Sequence, residues 1–330
     1  MGRDLVLYPK GADKAELVTF ITSFDNVQKT SNHLWDWPVG TVHYFWFDET
    51  DYRSTAGVEI TIYPVRDDER SIDSGNWAMH VRNTYSATWH DVEMLNRILR
   101  SGRKRFGGDI LGDYGKNRYA PLWEDESTPI SRGLAWVYNM SHRNISAILH
   151  ALPNELDLSQ VEDAKLTSLL RSVDPSRVTY NGLVPFLVSI MEFYFRNIFI
   201  ILLKYDLDAR GRIEELDFEL SESEAPIEQT IASIVTFQNL RNTKRAFKKW
   251  LNIDVQNALD GHEDNWQETL WHRLGDLIKY RHDIIHRMSV NTSFSREEFI
   301  ERAQLVEESL NVLLGAIAQK YHLDLEDIQS

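Results

Sequence analysis

Residues 183–203 read LVPFLVSIMEFYFRNIFIILL, an almost uninterrupted apolar run. Its length and composition match a membrane span, but Glu192 and Arg196 lie near its centre, where charged side chains are costly in lipid. A run of this kind also suits a helix that is buried on every side in a soluble fold. We therefore expect a buried helix over residues 179–205, no membrane segment and, by default, a cytoplasmic location.

The sequence that surrounds this run predicts further helices and no strand after residue 153. Apolar residues recur at helical spacing over residues 163–173, 226–250 and 266–288. A last helix begins at Ser295, which forms a capping-box pattern with Glu298. We expect residues 153–330 to fold as an all-α bundle.

Residues 1–152 have a different pattern, rich in β-branched and aromatic residues between polar turns. Residues 41–47, 57–63 and 76–82 predict three strands of an antiparallel meander, and residues 89–104 and 131–152 predict helices. The expected fold class is thus an α+β N-terminal domain (1–152) followed by an all-α domain (153–330). We expect the first domain to sense a trigger or to position a substrate.

Composition restricts the chemistry that this chain can perform. There is no cysteine, which excludes disulfides, thiolate catalysis and cysteine-ligated zinc. The formal net charge is −14, so a nucleic acid would have to bind to a local basic patch.

A basic, glycine-rich segment at residues 97–118 is the best candidate for such a patch, although a plain surface loop is an open alternative. It contains no glycine motif of the Walker or dinucleotide-binding type. Its candidate substrate-binding residues are Arg103, Lys104, Arg105, Lys116 and Arg118.

A second candidate site lies near the end of the helix predicted over residues 266–288, at Arg281, His282, Asp283 and His286. Metal-free RNA cleavage needs a fixed cation and proton-transfer groups, and arginine and histidine supply these. Residues five apart lie about 140° apart around a helix. Arg281 and His286 therefore converge only if the helix ends or bends between them, or if two chains build the site.

Two other interpretations of these residues stay open. They fit a polar helix end, in which basic side chains offset the helix dipole. They also fit an HD-type metal phosphohydrolase, with His282 and Asp283, or His282 and His286, as ligands.

Residues 174–323 resemble the HEPN superfamily. The six residues from Arg281 to His286 match its Arg-polar-x-hydrophobic-x-His motif, and Glu192 stands inside an apolar helix as the family often has it. The order of the elements is also similar: a long apolar helix, a middle section, the motif helix and a closing helix. The first domain resembles no family.

The resemblance implies a metal-independent endoribonuclease without a cofactor, acting as a toxin or anti-phage defence effector. It implies that Arg281 holds the scissile phosphate, that His286 transfers protons and that His282 positions the substrate. Glu192 and Arg196, expected to form an ion pair, and Asp283 would support them.

The resemblance also implies the partners. The expected partners are RNA, a second copy of the chain and an antitoxin or trigger protein. A homodimer would also account for the apolar surface of residues 183–203. A non-catalytic HEPN-like dimer that binds RNA, a nucleotide or a protein is the alternative.

Overall fold

The computed structural model describes residues 2–31, 37–66, 69, 75–84, 86–215, 225–261 and 268–325. The chain folds into two compact units, Met1–Pro129 and Ile130–Ser330. The boundary expected after residue 152 falls one helix later than this division. Helix α3 (Pro129–His150) groups with the second unit because Gly133 allows a close approach: a Cβ atom there would lie 3.0 Å from Ile201.

The first unit is built on an antiparallel sheet of six strands in the order β2-β3-β4-β5-β1-β6. The strands are β1 (Gly2–Tyr8), β2 (Val27–Thr30), β3 (Val42–Trp46), β4 (Val58–Pro64), β5 (Trp77–Thr84) and β6 (Asp109–Gly112). The expected meander is confirmed as β3-β4-β5. The sequence did not predict β1, β2 or β6, and β6 corrects the loop expected after α2. Strand β1 pairs with segments far along the chain, which a local pattern does not reveal.

Two helices, α1 (Lys14–Ile21) and α2 (Trp89–Phe106), share one hydrophobic core with the sheet. Alternate residues of the central strands point into this core, as the period of a strand requires. Helix α2 begins with a capping box between Thr88 and Asp91. It lies close to the sheet at Gly102, where a Cβ atom would be 2.9 Å from Leu7.

The second unit is helical, and its described residues contain no strand, as expected. The capping box at Ser295 is confirmed, since Glu298 N donates to Ser295 Oγ at 3.2 Å. The start expected at residue 266 lies outside the described residues. After α3 the helices are α4 (Ala164–Ser172), α5 (Pro175–Tyr205), α6 (Leu207–Glu214), α7 (Ile227–Ser233), α8 (Leu240–Ala246), α9 (Val255–Asp260), α10 (Leu270–Arg287) and α11 (Arg296–Tyr321).

Helix α5 is the central element of this unit. It packs against α6, α7, α10 and α11, so helices of the same chain bury most of its apolar side chains. This corrects the expectation that a second copy accounts for that surface. By length and composition α5 passes as a membrane span, but 61% of its most apolar window is buried inside the protein, the pattern of a core helix.

Candidate functional site

Helix α10 carries the motif residues on one regular helix. It begins after the cap residue Thr269, whose side chain accepts a hydrogen bond from His272 N, and it ends at Arg287. Met288 follows in the left-handed conformation at φ 50°, and its N–H donates to Asp283 O. The helix therefore neither ends nor bends between Arg281 and His286, so the first of the two ways in which these side chains could converge does not occur. The hydrogen-bond ladder simply continues for one more turn.

Arg281 lies on the face of α10 that is turned towards the core. Leu277 and Leu274 are buried one and two turns before it, and the spacing places all three on one stripe. The side chain is half-buried, and its Nε atom is buried without a hydrogen-bond partner. The same stripe then leaves the core, since Ile285 is 40% exposed, and Met288, directly after the helix, is 83% exposed.

The two histidines of the motif lie on the exposed side of α10. The ring centroids of His282 and His286 are 4.4 Å apart, as the spacing of four residues predicts. The carboxylate of Asp283 forms an ion pair with Arg287 at 3.2 Å. The structure therefore brings His282 and His286 together in one chain, whereas Arg281 and His286 point about 140° apart.

A buried asparagine on α5 holds the C-terminal end of α10 in place. Asn181 Oδ1 accepts hydrogen bonds from the Tyr280 hydroxyl at 2.7 Å and from Asn291 N at 3.0 Å. Its Nδ2 atom donates to Asn291 O at 3.0 Å and to Arg177 O at 2.7 Å. Arg177 in turn donates to Thr292 O at 3.1 Å. Two polar side chains of α5, Asn181 and Arg177, thus hold the segment that follows the motif.

Tyr280, directly before Arg281, connects this network to α11. Its ring lies 5.5 Å from that of Phe294, and the Arg302 guanidinium lies 4.9 Å above it. Burial raises the pKa of the Tyr280 phenol, with Arg302 opposing this shift. The phenol therefore stays protonated at neutral pH and can donate to Asn181. Sequence reasoning missed Asn181 and Arg177, whose roles depend on contacts across the fold.

Glu192 and Arg196 do not form the ion pair expected from their spacing. The Glu192 carboxylate accepts a hydrogen bond from Gln238 Nε2 at 2.6 Å, while Arg196 is exposed. Among the described residues, neither makes a hydrogen bond or ion pair with Arg281, His282 or His286. Glu192 is half-buried, and the amide of Gln238 is a neutral partner that satisfies it there.

The residues that could hold a metal ion lie in the first turns of α10 and directly before it. Ligand atoms of Glu268, His272 and Asp276 all lie within 4.8 Å of one another on an exposed face. Within the part of the chain that the structure describes, His282 and Asp283 belong to no such group of three.

The basic segment of the first unit is partly neutralised by its own loop. Arg103 Nε donates to Gly108 O at 3.2 Å, and Lys116 forms a 2.8 Å ion pair with Asp109. Lys116 and Asn117 lower the pKa of the Asp109 carboxyl, which fits a charge-paired loop. Arg105 lies over the ring of Phe106 at 5.1 Å.

The other two candidates in this segment, Lys104 and Arg118, are exposed, and neither is paired with a carboxylate among the described residues. Comparisons with protein-family models, with curated proteins and with solved structures find no match to this chain.

Proposed function

We propose that residues 130–330 form a HEPN-type, metal-independent endoribonuclease, a toxin or anti-phage effector whose cleft is completed by a second copy of the chain. The observation that carries this proposal is the state of Arg281. Its Nε–H is buried without a hydrogen-bond acceptor, yet it stands where the core-facing stripe of α10 emerges at the surface.

A buried N–H of a charged group without an acceptor is costly, and a bound anion removes that cost. Phosphate oxygens suit a guanidinium because two parallel N–H groups can donate to them at once. The polar network that ties Tyr280 and Asn291 to Asn181 holds this end of α10 rigidly. A rigid support of this kind is what a phosphate-holding arginine requires.

A second copy is proposed because the site is incomplete in one chain. Ile285 is exposed on the stripe that also bears Arg281, Met288 is exposed directly after the helix, and an apolar partner surface would cover both. A two-fold interface brings the same surface of two copies together. Each centre would then combine Arg281 of one copy with the partner's His286.

The proposed reaction is a transesterification within the RNA strand. An imidazole of His286 takes the proton of the 2′-hydroxyl, and the 2′-oxygen attacks the adjacent phosphorus. The bond to the 5′-oxygen breaks, and this oxygen receives a proton from an imidazolium. Arg281 stabilises the charge on the phosphorane oxygens, and His282 positions the strand. The products are a 2′,3′-cyclic phosphate and a 5′-hydroxyl.

The test is cleavage of RNA in EDTA by the full chain and by single variants. His286→Ala and Arg281→Ala should each abolish cleavage, whereas His150→Ala, an exposed histidine on α3, should not. Cleavage that disappears with EDTA would indicate a metal-dependent reaction. Undiminished cleavage by His286→Ala would overturn the assignment.

A second candidate function is a non-catalytic HEPN-like dimer that binds RNA, a nucleotide or a protein partner. One observation favours it: among the described residues, no hydrogen bond orients the ring of His282 or His286. Catalytic histidines are usually held by such a bond. Growth arrest on expression that Arg281→Ala relieves would contradict this candidate.

A further inference from the structure

The exposed face of helix α2 carries a line of cations that the proposed cleavage site does not use. Arg97, Arg100 and Lys104 lie on one side of this helix, over about 10 Å of its axis. Arg118 is exposed and directly precedes Tyr119, whose ring lies beside Arg100. We call these four residues the α2 basic stripe.

The stripe is fixed in shape by a buried contact. Asn96 is fully buried, and its Nδ2 donates to Ala120 O at 2.9 Å while its Oδ1 accepts from Ala120 N at 3.0 Å. These two bonds hold the segment that bears Arg118 and Tyr119 against α2. The Arg100 guanidinium consequently lies 5.2 Å from the centre of the Tyr119 ring.

The carboxylates that the structure describes do not neutralise the charges of the stripe. Among the described residues, none of its four members forms an ion pair with a carboxylate, and Glu93, one turn before Arg97, does not pair with it. Dipole compensation explains cations only in the last turn of a helix. Arg97 and Arg100 precede that turn, so these two charges need another explanation.

We infer that the α2 basic stripe, with the ring of Tyr119 beside it, binds the phosphodiester backbone of single-stranded RNA. Adjacent unpaired cations in a chain of net charge −14 are the local footprint that phosphates require. Arginine planes and aromatic rings are also surfaces on which unpaired bases stack, and the Arg100–Tyr119 pair supplies both. An acidic peptide would use the cations but not the ring.

The choice of RNA as the ligand rests on the proposed function, but binding is measured separately from cleavage. The probe is a fluorescein-labelled single-stranded RNA of about 12 nucleotides, a length within the usual site sizes. The protein is the whole 330-residue chain with the single substitution His286→Ala, so that the RNA probe is not cleaved during the measurement. Anisotropy is followed from about 50 to 200 mM salt.

The stripe variant Arg97→Gln/Arg100→Gln/Lys104→Gln should bind at least about tenfold more weakly, with a salt slope shallower by roughly two. The control Lys29→Gln/Lys165→Gln/Arg171→Gln removes the same charge from exposed positions elsewhere and should bind normally. Tyr119→Leu should reduce the preference for single-stranded RNA over a duplex of equal length.

Equal losses in the stripe variant and the control would overturn the inference, because net charge alone would then explain binding. Displacement of the RNA by polyglutamate at equal charge concentration would also overturn it. Stripe-dependent binding by a chain that never cleaves RNA would leave this inference standing and refute the nuclease. RNA cleavage together with binding that does not depend on the stripe would overturn this inference and leave the proposed nuclease standing.

Discussion

The Tyr280 hydroxyl donates to Asn181 Oδ1 at 2.7 Å, which joins the residue before Arg281 to the central helix α5. The same oxygen accepts Asn291 N, so one amide side chain holds both the motif helix and the segment that follows it. The position of Arg281 therefore depends on a residue that is distant in sequence.

Asn181→Ala should destabilise the second unit by about 2–4 kcal/mol, because it leaves several buried partners without a hydrogen bond. Tyr280→Phe removes one of these bonds and should cost about 1 kcal/mol. Urea denaturation followed by circular dichroism measures both. Asn144→Ala, at an exposed position of α3, is the control, and a loss in Asn144→Ala equal to that of Asn181→Ala would contradict the assigned role.

Arg281→Met should keep or raise the free energy of unfolding, within about 1 kcal/mol of the original chain, while it abolishes RNA cleavage. The physical reason is that the buried Nε of Arg281 has no hydrogen-bond partner to lose. Denaturation and cleavage are measured on the same preparation. A large loss of stability would show that the arginine is structural.

Ile285→Asp and Met288→Asp should each weaken the proposed dimer, because a carboxylate would be buried without a partner at the proposed interface. Sedimentation velocity measures the monomer fraction. Leu207→Asp places the same charge at another exposed apolar position and should leave the dimer intact. A monomeric parent chain that cleaves RNA would contradict the shared site.

When the Arg281→Ala chain and the His286→Ala chain are co-expressed with different tags, their mixed dimers should cleave RNA. If each centre takes Arg281 from one copy and the partner's His286, half of the dimers are mixed and each has one intact centre. About a quarter of the original rate is then expected. Purified mixed dimers without activity would indicate that both residues act within one chain.

The sequence predicted elements best where the pattern is local. The capping box at Ser295, the apolar period of α10 and the meander β3-β4-β5 all follow from neighbouring residues, and the structure confirms them. Strands β1 and β6 were missed because each is stabilised by pairing with a segment that is distant in the sequence. The helix end or bend that would have let Arg281 and His286 converge is absent, because α10 continues to its cap at Met288.

The candidate site shows the same division. By itself, the sequence determined that Arg281 and His286 occupy one helix with a fixed angle between them, because helical geometry depends only on spacing. Only the tertiary structure decided that Arg281 faces the core with an unpartnered Nε and that Glu192 bonds to Gln238. The tertiary structure also decided which cations of the basic segment lack a carboxylate partner among the described residues. Burial and pairing depend on which distant segments meet, and no local pattern encodes that.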